Sequence, residues 1–86
     1  MKLQVQRNQW YRVIDYYQSI INEKFLHQPL TPVTQHMIRQ ALDKAINEIK
    51  RQETNPVWHI PIYPKFNLQT QTVSIELIDP NSIEFV

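Results

Sequence analysis

His27-Gln28-Pro29-Leu30-Thr31-Pro32 is the stretch on which the reading of this fold turns. Pro29 pushes Gln28 out of helical geometry. Thr31-Pro32 then starts a new helix. The threonine oxygen can accept a first-turn amide, and proline at the first helical position loses nothing by lacking an N–H. Upstream, Trp10, Val13, Ile14, Tyr17, Ile20, Ile21 and Phe25 recur at three- and four-residue spacing. That spacing predicts an amphipathic helix over 8–27 with an apolar arc of roughly 140°. Asn8 is its expected N-cap. Downstream, Ile38, Ala41, Leu42, Ala45, Ile46 and Ile49 predict a second helix over 32–53, closed by Asn55-Pro56. So short a connection makes the two helices antiparallel neighbours, and Ala41 and Ala45 let them approach closely.

Beyond Pro56 the apolar period changes from 3.6 to 2. Trp58, Ile60 and Ile62 alternate within 57–63, with Pro61 restricting that strand to an edge or a bulge. Residues 64–69 read as a loop anchored by Phe66 and Leu68. Residues 70–78 are the clearest strand, with Val73, Ile75 and Leu77 on one face. Asp79-Pro80-Asn81-Ser82 reads as a four-residue hairpin loop leading to a last strand at 83–86. Leu3 and Val5 alternate with Gln4 and Gln6, so residues 2–6 either form a strand or extend the first helix.

The expected architecture is a single α+β domain over 1–86. A two-helix antiparallel hairpin packs on a three-stranded antiparallel sheet, four-stranded if residues 2–6 are a strand. The meander's other face, with His59, Thr72, Ser74 and Glu76, can stay wet.

Composition closes several functions. The 86 residues include no Gly and no Cys. Phosphate-cradling loops, dinucleotide fingerprints and the nucleophile elbow all need Gly in standard form. Without Cys there is no disulfide, thiolate metal site or Cys nucleophile. Hydrophobic residues make up 42% of the chain, enough for a core, and no apolar run is long enough to span a bilayer. The N-terminus lacks the apolar centre of a signal peptide, so a cytoplasmic protein is expected.

The chemistry-bearing residues are sparse. His27, His36 and His59 have no metal-ligand spacing, so neither metal nor other cofactor is expected. His36, Arg39 and Tyr63 could serve a small metal-independent nuclease or hydrolase as acid, base and cation, which is the third reading. Net charge is +1, with all nine basic residues and five acidic ones in 1–66. A nucleic-acid contact through Arg39, Lys50, Arg51 and Lys65 is therefore the second reading, weakened by Asp43 on the same helix face. The first reading is a non-enzymatic protein-binding module: an accessory, regulatory or inhibitory subunit, self-associating as a homodimer or joined to another protein. Tyr11, Tyr16, Phe66 and Leu68, with Arg39 as polar anchor, are its expected contacts, because aromatic side chains give large area with a polar tip. The C-terminal edge, Ile83 to Val86, has no Lys or Pro to blunt it and is the expected site of strand pairing.

Overall fold

The computed structural model describes residues 2–86. In order, they form β1 (Leu3–Val5), α1 (Arg7–Phe25), α2 (Pro32–Gln52), a 3-10 turn (Pro56–His59), β2 (Ile62–Asn67), β3 (Thr72–Leu77), a second 3-10 turn (Pro80–Ser82) and β4 (Ile83–Phe85). The class is α+β, as the change of period requires.

The helical hairpin follows from its stripes. Trp10, Val13, Tyr17 and Ile21 of α1 and Thr34, Ile38, Leu42 and Ala45 of α2 are the buried positions, each at helical spacing. Thr31 caps α2 as expected, its Oγ1 accepting the Thr34 amide at 3.2 Å, with Pro32 next. The other cap is different. α1 begins at Arg7 behind Gln6, with no side-chain cap, and Asn8 sits inside the first turn accepting the Gln9 amide.

The strands depart from the meander. Residues 57–63 are not a strand. Pro56 fixes the backbone, the Asn55 side chain accepts the Val57 amide at 3.1 Å, and the chain enters a 3-10 turn. Val57 and Ile60, three apart, are buried there, so the apparent alternation is a three-residue period. The residues read as the 64–69 loop are largely β2, which pairs with β3 in unbroken antiparallel register from Ile62↔Leu77 to Asn67↔Thr72. Val73, Ile75 and Leu77 share the inner face as predicted.

The last strand does not join β3. The Asp79 side chain accepts the Asn81 amide at 3.1 Å and turns the chain through a 3-10 turn instead of a hairpin. β4 then lies parallel to β1, Leu3↔Ile83 through Val5↔Phe85, and the Val86 amide donates to the Val5 carbonyl at 3.0 Å. That pairing buries Val5 and Ile83 in the common core. Residues 3–5 are thus a strand, and four strands form two separate pairs, β1–β4 and β2–β3, instead of one sheet. β1 takes one edge of β4, and no strand among the described residues pairs with the other. No helix among the described residues is long and apolar enough to cross a membrane.

Candidate protein-interaction surface

The residues expected to make contacts do not form one patch. Tyr11 and Tyr16 lie five positions apart on α1, roughly 140° around the helix. Tyr11 stands alone, 57% exposed, whereas Tyr16 is 37% exposed because its ring packs inward. It meets Trp58 edge-on at 5.7 Å and Tyr17 at 5.5 Å, and Trp58 also meets Tyr17. Burial pushes the Tyr17 phenol up to about 12, and the neighbouring Tyr16 adds to the shift. Phe66 and Arg39 satisfy each other: the guanidinium carbon stands 5.1 Å from the centre of the half-buried ring. Leu68 is exposed at the β2–β3 turn.

The basic residues are also spread. Lys50 and Arg51 occupy the last turn of α2, where cations suit the free carbonyls. Arg39 lies three turns earlier, and Lys65 is exposed on β2 opposite Ser74. Arg39 and Tyr63 share a shallow groove of about 200 Å³ between α2 and β2, which His36 does not line. His27, His36 and His59 are all exposed, and no three potential metal-ligating side chains gather among the described residues.

A different region stands out. The chain has two long stretches without Asp, Glu, Lys or Arg: residues 25–38, between Lys24 and Arg39, and residues 66–75, between Lys65 and Glu76. The fold brings them together. The Leu30 amide donates to Gln71 Oε1 at 2.7 Å, and Gln71 Nε2 donates to the Leu68 carbonyl at 2.7 Å. Gln35 Nε2 completes the stitch by donating to the Leu30 carbonyl at 3.0 Å. One end of the molecule, made of the α1–α2 connection, the first turns of α2 and the β2–β3 turn, is therefore built from stretches without charged side chains apart from the histidines, with Lys24 in the last turn of α1 and Arg39 over Phe66 at its margins.

Between these parts lies a cleft of about 700 Å³ with Ile21, Phe25, Leu30, Ile38 and Val73 among its lining residues. Asn22, His27, Gln28, Gln71 and Thr72 also line it, and none of the lining residues is Asp, Glu, Lys or Arg. His27 and Gln71 have φ of 65° and 56°. They hold left-handed positions that Gly usually fills, at a cost of about 1 kcal/mol or more each. Leu26, Val33, Met37 and Leu68 of the same end are exposed by 47% to 69%. The missed signal is the pair of charge-free windows, which can be read directly from the residue order. No protein-family model, curated protein or solved structure matches the chain.

Proposed function

We propose that this chain is a protein-binding module, an accessory, regulatory or inhibitory subunit that works by contact and not by catalysis. The observation that supports this is the pair of charge-free stretches that the Gln71 hydrogen bonds join, with Leu26 exposed at the uncharged cleft and Val33, Met37 and Leu68 exposed along the same stretches. Burying a charge without a partner is costly, so the centres of protein interfaces are depleted of charged residues and enriched in Met and aromatics. A surface that never carried charge has no such cost to meet when a partner covers it. Tyr11 and Arg39 would then belong to the rim. The Cys-free composition fits a reducing compartment, the cytoplasm, as the place of action.

The test replaces Met37 and Leu68, both exposed, by Glu, one at a time. Surface substitutions of this kind change stability within about 0.5 kcal/mol, so the fold is expected to survive. Each variant is expected to lose the protein that the unaltered chain retains in affinity capture from its native host. Charge reversal at Lys50 and Arg51 is expected to leave that capture intact. Loss on reversal and retention in both Glu variants would move the contact to the basic end of α2 and defeat the proposal.

A further inference from the structure

The β2–β3 hairpin has two outer edges, and they are not alike. The Ile78 amide donates to the Pro61 carbonyl at 3.2 Å, one step beyond Ile62↔Leu77. Antiparallel pairs alternate between those that exchange ladder bonds and those that do not. Tyr63↔Glu76, Lys65↔Ser74 and Asn67↔Thr72 are therefore the bonded pairs. Residues 62, 64 and 66 of β2, and 73, 75 and 77 of β3, aim their backbone groups outward. Gln18 confirms the parity on β3: its Nε2 donates to the Val73 carbonyl from α1 at 3.0 Å.

On β2 the outward set contains Pro64, which has no N–H to offer, and Lys65 stands beside it. Proline and lysine are how natural edges resist pairing. It is also why a proline is tolerated inside this strand. On β3 the outward set is Val73, Ile75 and Leu77. The strand contains neither Pro nor Lys, and no bulge interrupts its register. Among the described residues nothing bonds the three outward amides or the carbonyls of Ile75 and Leu77. Buried amides are rarely left unpaired, and these three have no partner within one chain.

We infer that a second copy of this chain pairs with this edge, β3 against β3, antiparallel about a two-fold axis at Ile75. Every two-fold register centred on a residue keeps the backbone parity, and three of them are centred in the middle of β3. Centring on Glu76 sets two like carboxylates directly opposite each other, which is unfavourable. Centring on Ser74 pairs Leu77 with Gln71, which lies outside β3 and has left-handed backbone. Centring on Ile75 uses all three outward residues, as Val73↔Leu77, Ile75↔Ile75 and Leu77↔Val73. It also sets Glu76 opposite Ser74, a hydroxyl that already donates to Glu76 within one chain at 3.3 Å. The Val73 carbonyl keeps Gln18 on one lone pair and has a second for the incoming amide. The product is a four-stranded sheet in the order β2–β3–β3–β2, ended on both sides by Pro64. The pairing gives the unpartnered backbone groups of β3 the ladder bonds that one chain does not supply.

Light scattering after size exclusion is expected to give twice the 10.4 kDa of one chain. Ser74→Glu places a carboxylate against Glu76 twice per dimer and is expected to weaken dimerisation about tenfold. Within one chain that carboxylate has Lys65 directly opposite and Glu76 two residues along the same face, so an unchanged circular-dichroism spectrum is required to show that the hairpin itself survives. The chain has no Cys, which makes cross-linking clean. Ser74→Cys combined with Glu76→Cys is expected to give a disulfide-linked dimer under mild oxidation, and neither single variant should. A monomeric mass at the highest soluble concentration would overturn the inference. So would efficient linkage of either single Cys variant, which marks another register.

Discussion

The two ends of the molecule treat exposed apolar side chains in opposite ways. At the end where β1 and β4 meet the start of α1, Phe85 is partly exposed, but the Arg7 guanidinium stands 5.8 Å from its ring centre and Trp10 lies 6.3 Å away. A long charged side chain covers apolar surface there and keeps its head in water. At the other end, Leu26, Val33, Met37 and Leu68 lie within stretches that contain no Lys or Arg. Exposure alone therefore says little about function, since most monomers expose apolar atoms. The informative quantity is whether a charged neighbour is present to cover them. By that criterion the apolar side chains of one end are covered by a charged neighbour and those of the other are not, and the proposed contact rests on that difference.

The largest expected perturbation acts on the joint between the ends. The buried Tyr17 keeps its proton to about 12, whereas an unfolded phenol ionises near 10. Below pH 10 both states hold the proton, and this group adds no pH dependence. From pH 10 to 12 the unfolded state ionises first, so stability should fall, by about 2–3 kcal/mol in total. Urea denaturation across that range, with Tyr17→Phe as reference, measures it. The variant should lack this share of the loss.

A smaller change separates the ends. Gln71→Ala removes the acceptor of the Leu30 amide and the donor to the Leu68 carbonyl. Freeing a part-buried amide costs about 1–3 kcal/mol. Hydrogen exchange should accelerate at Leu30 and at the β2–β3 turn, and β1 and β4 should keep their protection. Acceleration spread evenly over both ends would show that the stitch is not local. The smallest effect is Arg7→Ala, which uncovers Phe85 at a cost of about 0.5–1 kcal/mol. It should make the covered end resemble the uncovered one, read as increased binding of a hydrophobic dye.

The helical half of this fold was legible because its signals are local. Thr31-Pro32 is a start signal that needs no tertiary contact, and the stripes of α1 and α2 repeat over several turns. The sheet half was less so. Trp58, Ile60 and Ile62 alternate like a strand, yet Asn55-Pro56 closes a 3-10 turn that buries Val57 and Ile60. Pro64 argued for a loop, yet its nitrogen faces an edge where no bond is needed. The partner of β4 was hidden because parallel pairing with β1 joins the two ends of the chain, a contact that no local pattern announces. For the proposed site, residue type alone did not show which aromatics have neighbours: Tyr16 and Phe66 pack against Trp58 and Arg39, whereas Tyr11 is exposed. The glutamines proved structural. Gln18, Gln35 and Gln71 tie loops and strands to the helices where a glycine-free chain leaves backbone groups to satisfy.

The most direct measurement sets one end against the other in the same cell. A photo-reactive residue is placed at Met37, at Leu68 or at Lys50, and the native host is irradiated. The expected result is a discrete covalent adduct with another protein from Met37 and Leu68 and none from Lys50. Adducts from Lys50 alone, with Met37 and Leu68 reacting only with water, would contradict it.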